Sequence, residues 1–370
     1  MPVKSSSGSY VGRFAPSPTG PLHLGSLLAA LASFLDARAN GGNWLLRMED
    51  LDPPRQSPGA ADLILKQLDS LHLHWDGAVL YQSTRAEAYR AALQQLQKAG
   101  LCYHCNCSRA RVRQLGSVYD GKCRARTTLP PQTAADATNN VDTRDTQRAH
   151  VANVTSNASA GNAQQTPVVD VTSNSSTSNA QQTPAANTTY PANGEYSVRL
   201  HTPTQQVAFD DLILGRFAQH LQQEVGDFVI QRKDSLFAYQ LAVVVDDAFQ
   251  KISHVIRGHD LLDSTPRQLY LQQQLDLPHP TYGHIPVIVN AEGQKLSKQH
   301  FAPAINAREG SRLIYQALLA LGQTPPGATT MPITELLEWG IAHWDIEAVP
   351  RLATIPLDED TAIIRPTSKS

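Results

Sequence analysis

The chain predicts an α/β fold with a doubly wound sheet, on three observations. Strand-like and helix-like patterns alternate along it, the first strand runs through a Pro/Gly-rich loop into a strongly apolar helix, and a long polar segment interrupts the order without joining it. Tyr10-Val11-Gly12-Arg13-Phe14 reads as the first strand, Leu24 to Ala37 as the first helix, and Trp44-Leu45-Leu46-Arg47-Met48 as the second strand. Helical patterns follow at about 57–70 and 84–99. Beyond the polar segment, strand-like runs stand at 197–200, 207–214, 228–232, 252–257 and 284–289, with a helix Leu261–Leu275 between the last two. The tail, from about Ala304, reads as helical and short. In a doubly wound sheet, ligands sit at the carboxyl ends of the strands.

Bulk composition agrees with a folded enzyme-sized chain and excludes little. The 370 residues are 41% hydrophobic and carry a formal net charge of −2, which neither demands nor forbids a nucleic-acid partner. No apolar run is long enough to span a bilayer, and the N-terminus lacks the apolar stretch of a signal peptide, so a cytoplasmic location without a membrane partner is expected. From about Thr127 to Gly194 the chain is dominated by Ala, Asn, Thr, Ser, Gln and Pro. The stretch VTSNASAGNAQQTP at 154–167 returns, altered, as VTSNSSTSNAQQTP at 171–184. Two polar copies without an apolar face do not make a repeat array, and a disordered insertion is expected.

Two loops carry residues suited to phosphate chemistry. Ala15-Pro16-Ser17-Pro18-Thr19-Gly20-Pro21-Leu22-His23-Leu24-Gly25-Ser26 joins the first strand to the first helix, where backbone amides and the helix dipole favour an anion. Gly25 permits close approach of a ligand, and His23 can donate to a phosphate oxygen. Far downstream, a strand ends in a polar turn followed by Lys295-Leu296-Ser297-Lys298-Gln299, whose two lysines could neutralise a triphosphate. The plainer readings are a Pro-rich turn and a solvated basic loop. A third feature is Cys102, Cys105, Cys107 and Cys123, the four cysteines of the chain, close enough in sequence to suggest a metal. Chemistry alone would choose all four as zinc ligands.

RFAPSPTGPLHLGS resembles the HIGH signature of class I aminoacyl-tRNA synthetases, and KLSKQ resembles their KMSKS loop. Together with RMEDLDPPR at 47–55 and VVDD–IRGHDLL at 244–262, these motifs are similar to the glutamyl/glutaminyl subgroup, in order, across most of the chain up to residue 300. Ser26 stands where the general signature has its second histidine, and Gln299 where it has a final serine. Both changes match the shortened paralogues of glutamyl-tRNA synthetase. The resemblance implies a Rossmann-like nucleotide-binding domain over 1–300, with a zinc-binding segment at 101–126 and the insertion at 127–194. Residues 301–370 are expected to form a short helical region with no anticodon-binding domain.

What the resemblance implies about chemistry is specific. Glutamate would be activated by ATP, with Mg²⁺ accompanying the nucleotide, and without any need for tRNA in that step. His23 and Lys298 would be catalytic, and His23, Gly25, Ser26, Lys295 and Lys298 would bind ATP. The glutamate pocket would comprise Arg13, Phe14, Ala15, Pro16 and Ser17, with Glu49 for the α-ammonium and Tyr239 and Arg257 for the carboxylates. Zinc would be held by Cys105, Cys107, Tyr119 and Cys123, with Cys102 outside. In the shortened paralogues the acceptor is the queuosine base at the wobble position of tRNA(Asp), which would make that tRNA a partner of a monomeric enzyme. Two other readings are a truncated glutamyl-tRNA synthetase charging the 3′ end of tRNA(Glu), and a non-catalytic zinc-bearing tRNA-binding module.

Overall fold

The computed structural model describes residues 10–116, 118–124, 196–290, 292–296, 304–327, 331–358 and 363–364. The expected insertion at 127–194 and the catalytic candidate Lys298 lie outside the described residues. Up to the cysteine region the elements are β1 (Val11–Phe14), α1 (Leu24–Ala39), β2 (Asn43–Met48), α2 (Ala60–Ser70), β3 (Leu80–Tyr81), α3 (Ala86–Lys98), β4 (Cys102–Cys105) and α4 (Arg109–Gln114). Next come β5 (Ser197–Leu200), β6 (Val207–Asp211), β7 (Gly215–Gln219), α5 (Leu221–Glu224), β8 (Phe228–Gln231), α6 (Tyr239–Phe249), β9 (His254–Gly258), α7 (Thr265–Gln274) and β10 (Thr281–Ile285). The C-terminal part holds β11 (Val287–Val289), α8 (Gly310–Ala320), α9 (Ile333–His343), β12 (Thr354–Asp358) and β13 (Ile363–Ile364).

β2 pairs in parallel with β1 on one side and β3 on the other. β9, parallel to β10, lies against the free side of β1, where the Ser253 N–H donates to the Val11 carbonyl (2.9 Å) and the Val11 N–H to Ser253 Oγ (2.8 Å). The chain thus winds outward from β1 in both directions, and the switch point between β1 and β9 is where such sheets bind ligands. Arg13 and Arg257 stand at the carboxyl ends of these two strands.

Helix α1 is rich in Ala and Leu and is buried on nearly all sides, from Leu27 to Ala37. It packs on β1, β2 and β9 and is covered in turn by α8 and α9. A side-chain carbon at Gly340 would lie 3.1 Å from Leu35 and 3.4 Å from Leu318, so a larger residue would make these leucines shift to keep α9 this close. Leu313, Ile314, Leu318, Leu336 and Ile355 join Leu27, Leu31 and Trp44 in one apolar core. A second core forms around Tyr89, Leu93, Leu200, Ile230, Leu241 and Leu271.

Several expectations need correction. The tail is not purely helical: β12 pairs in parallel with β11, and Ile355 is fully buried. Its short Thr-Ile-Pro-Leu-Asp run shows no periodicity by itself, and the partner strand is remote in sequence. The run at 207–214 is β6 followed by a turn, where Asp211 Oδ1 accepts the N–H groups of Ile213 and Leu214 (3.0 Å each) and the chain reverses into β7. Gly215 takes φ 78°, open to glycine at no steric cost. The run at 284–289 is two strands broken at Pro286, which has no N–H to donate, and the first of them begins at Thr281.

Candidate active site

The loop after β1 is organised by a reciprocal cap. Ser26 N–H donates to His23 Nδ1 (3.3 Å), and His23 N–H donates to Ser26 Oγ (2.7 Å). Serine in place of histidine at position 26 therefore has a structural use, closing the first turn of α1. With Nδ1 accepting, a neutral His23 carries its proton on Nε2, the form that donates to a phosphate oxygen. A side-chain carbon at Gly25 would sit 3.2 Å from the His23 ring and 3.5 Å from the Leu296 carbonyl. The two signature loops, far apart in sequence, thus meet at Gly25. Lys295 Nζ lies 2.5 Å from Asp260 Oδ2, in the turn that follows β9.

Beneath this loop lies a charged cluster. Arg13 and Arg47, 4% and 0% exposed, reach from adjacent strands to Asp247 of α6, which is 3% exposed. Arg13 Nε and Nη2 donate to its two oxygens at 3.2 and 3.4 Å, and Arg47 Nη2 donates to Oδ1. Burial works to raise Asp247, but the guanidiniums of Arg13 and Arg47 outweigh it and hold the carboxyl below the ordinary range. Glu49 Oε1 stands 3.9 Å from Arg47 Nε. Burial pushes Glu49 up to about 7, against Arg47 and Arg13 and with the help of Asp247 and Asp246. Asp246 turns the other way and accepts from Gln82 Nε2 (2.9 Å), Arg85 Nε (3.0 Å) and Tyr89 OH (2.6 Å).

Tyr239 and Arg257 meet nearby, Arg257 Nη1 donating to the Tyr239 hydroxyl (3.4 Å). Burial raises that hydroxyl, with Glu49 adding to the rise and Arg257 and Arg13 opposing it, so the four groups share one electrostatic neighbourhood. Phe14 does not share it by side chain: its ring is in the core, parallel to Trp44 at 6.3 Å, because successive residues of a strand face opposite ways. Ala15, Pro16 and Ser17 follow β1 in the loop before α1, and the Pro16 carbonyl accepts from the Glu49 N–H (3.0 Å). Sequence reasoning assigned no role to Arg47, Asp247, Asp211 or His284. The available signal was a charge inside an otherwise apolar element, as in Trp44–Met48 and in the Val-Val-Val-Asp-Asp run of α6.

The cysteines separate into two environments. Cys105, Cys107 and Cys123 hold their sulfurs within 4.8 Å of one another, a group that could hold a metal ion. The Tyr119 hydroxyl lies 3.3 Å from Cys105 Sγ and 3.5 Å from Cys107 Sγ, and Cys107 and Cys123 are 3.6 Å apart. Sulfurs about 2.3 Å from a tetrahedral zinc would be about 3.8 Å from one another, so the spacing fits that ion. Cys102 occupies the other face of β4, in the apolar core with Leu93 and Val198, and burial alone pushes its thiol up to about 12. Cys105, although burial opposes it, is brought down to about 7 by Tyr119, the Cys107 N–H and Arg199. Arg199 also stacks on Tyr119, 3.8 Å from the ring centre.

A nucleotide-sheet switch point, a capped loop meeting a lysine turn, and an arginine-lined pocket with a glutamate define a class. The family model of tRNA synthetases class I (E and Q), catalytic domain, matches residues 10–316, and the chain belongs to that family. A glutamyl-Q tRNA(Asp) synthetase from Pseudomonas aeruginosa is 43% identical over 351 residues, 95% of this chain and 98% of that protein. One from Thiobacillus denitrificans is 47% identical over 348 residues, 92% of this chain and 95% of that protein. Among solved structures, a glutamate-tRNA synthetase from Elizabethkingia anophelis superposes with a TM-score of 0.67 at 22% identity, covering 96% of this chain and 69% of that one, a likeness of fold. Among the described residues no helix is long and apolar enough to cross a membrane.

Removing Asp247 tests the charged cluster directly. Asp247→Ala leaves two buried guanidiniums uncompensated and is expected to cost about 3–5 kcal/mol of stability, read from urea unfolding. A loss under about 1 kcal/mol would mean that water or Glu49 already neutralises the arginines.

Proposed function

We propose that this protein activates glutamate with ATP and transfers it to the queuosine base at the wobble position of tRNA(Asp). The observation that carries this reading is near-full-length likeness, at 43% and 47% identity, to relatives named for that tRNA and that base. The pocket chemistry supports the amino-acid half. Two carboxylates call for guanidinium partners, and Arg13 and Arg257 flank a space that also holds Glu49, suited to the α-ammonium, and the Tyr239 hydroxyl. Phe14 would take part by its backbone, with Ala15, Pro16 and Ser17 shaping the rim.

Activation joins the substrate carboxylate to the α-phosphate and releases pyrophosphate. A carboxylate nucleophile needs no base, so the protein's task is positioning and stabilisation of charge on the phosphates. His23, donating from Nε2, and the amino end of α1 would face the phosphates from one side, where Gly25 and Ser26 keep the backbone close. Lys298 and Lys295 would approach from the other, Lys295 after release from Asp260. Mg²⁺ arrives with ATP and shields its phosphate oxygens. We place the enzyme in the cytoplasm, as a monomer. The near-full-length relatives disfavour both an ordinary glutamyl-tRNA synthetase and a decayed binding module.

The test has two stages. Purified protein is expected to catalyse glutamate-dependent ATP–pyrophosphate exchange without tRNA, and Lys298→Ala to depress it roughly a hundredfold or more. Labelled glutamate should then enter tRNA(Asp) from cells that make queuosine, and stay with the anticodon fragment after nuclease digestion. Label on the terminal adenosine of tRNA(Glu) would overturn the acceptor.

Glu49 supplies a pH signature. Its carboxyl is raised to about 7, so it is protonated below that value and ionised above it. Since only the carboxylate pairs with an ammonium, the KM for glutamate should rise as pH falls through about 7, approaching tenfold per pH unit, while the KM for ATP does not follow. In Glu49→Gln the glutamate KM should be high and flat across the same range.

For the metal, we propose one structural zinc on Cys105, Cys107, Cys123 and the Tyr119 oxygen, where it would tie β4 to the segment around Tyr119. Elemental analysis should find one zinc per chain, lost in Cys105→Ser and Cys123→Ser and kept in Cys102→Ser. Loss in Cys102→Ser with retention in Tyr119→Phe would restore the four-cysteine site.

A further inference from the structure

Arg13 and Arg257, both proposed to meet glutamate, are held in opposite ways. Arg13 is neutralised by Asp247, whereas among the described residues every group that Arg257 donates to is uncharged. Its Nε–H meets His284 Nε2 at 3.0 Å, and Nη2 meets Thr265 Oγ1 at 2.6 Å and the Leu261 carbonyl at 3.3 Å. Nη1 donates to the Tyr239 hydroxyl at 3.4 Å.

The hydrogen bonds assign the state of His284. A guanidinium can only donate, so Nε2 must present a lone pair to Arg257, and Thr265 Oγ1, 3.1 Å away, can donate to the same atom. On the far side of the ring, Nδ1 lies 2.6 Å from Asp211 Oδ2. A carboxylate can only accept, so the proton is on Nδ1. Both contacts require the same neutral tautomer, and the contact with Asp211 is therefore a hydrogen bond rather than an ion pair. Burial points the same way, pushing His284 down to about 4 with Asp211 opposing. Burial would raise Asp211, but the bond with His284 and the backbone N–H groups of Leu214 and Ile213 hold it below the ordinary range. His284 and its partner are 0% and 5% exposed, and the His284 N–H also donates to Asp211 Oδ1 (3.2 Å).

We propose that Asp211 and His284 are positioning residues that fix the guanidinium plane of Arg257 while leaving its charge for the substrate. The imidazole is a spacer: it passes orientation from the carboxylate to Arg257 and keeps that carboxylate out of contact with it. A carboxylate in direct contact would take up part of that charge, as Asp247 does at Arg13. This rests on the reading that Arg257 holds a glutamate carboxylate.

The experiment compares glutamate and ATP KM values in pyrophosphate exchange. His284→Phe removes the acceptor, and the glutamate KM should rise about ten- to a hundredfold with the ATP KM unchanged. His284→Gln should recover much of this, because its side-chain carbonyl reaches the place of Nε2. Asp211→Asn keeps an acceptor for the turn, but its amide donates to Nδ1 and drives the ring to the Nε2–H tautomer, opposing Arg257; the same selective rise is expected. A wild-type glutamate KM in folded His284→Phe, or an equal rise in both KM values, overturns the proposal. Arg257→Gln separates the readings. An unchanged glutamate KM there removes Arg257 from the glutamate site, while a raised one beside wild-type behaviour in His284→Phe overturns the positioning role alone. Should the variants fail to fold, nitrogen NMR of labelled histidines in the unaltered protein decides: a buried ring in the neutral Nδ1–H form from about pH 6 to 8 is expected, and an Nε2–H or charged ring overturns it.

Discussion

Asp247 is the contact on which the rest of the site depends. One buried carboxylate on α6 binds guanidiniums from β1 and β2, so a helix and two strands are joined by charge where apolar packing would tolerate sliding. Buried ion pairs contribute little net stability because desolvation offsets attraction, but they penalise every arrangement that separates the partners. The position of α6 along the sheet follows. Tyr239 lies about two turns earlier on that helix and is carried to the pocket by the same contact. Asp246, the preceding residue, points toward Gln82, Arg85 and Tyr89 and ties the helix to α3, so adjacent aspartates anchor α6 on two sides.

The site then divides its positive charges by use. Arg13 and Arg47 are balanced by Asp247 and Glu49 and serve the architecture as much as any ligand. Arg257 is braced by neutral groups and keeps its charge available. On the proposed reading, an acidic amino acid would meet one cation without a counter-charge, one carboxyl poised near neutrality and a phenol, a selective combination because an uncharged analogue leaves the cation buried without a counter-charge. The two signature loops stand apart from this electrostatics. Their contact is steric, made where Gly25 admits the Leu296 carbonyl beside the His23 cap.

The same logic of faces sorts the cysteines. Four thiols in a short stretch look equivalent on paper, but β4 directs Cys102 and Cys105 to opposite sides. One joins leucines and valines, where a thiolate is disfavoured. The other meets Tyr119, Arg199 and two further sulfurs, where a thiolate and a cation are both welcome. Tyr119 is itself held from behind, since a side-chain carbon at Gly226, φ 69°, would lie 2.4 Å from its carbonyl oxygen.

The sequence carries what local geometry controls. The β1–loop–α1 unit and most strand and helix centres were legible because their interactions span a few residues or follow a fixed period, whereas the His23–Ser26 cap was not read from the sequence. It misplaced the turn at Asp211, the break at Pro286 and the strand at 354–358, whose partners or interruptions do not show in periodicity. Tertiary structure alone shows that Arg13 pairs with an aspartate 234 positions away, that Arg47 shares that aspartate, and that Asp211 and His284 stand behind Arg257. The physical reason is common to all three. Burial makes the energy of a charged or polar group depend on which neighbours the winding of the sheet delivers, and no residue type or spacing records that.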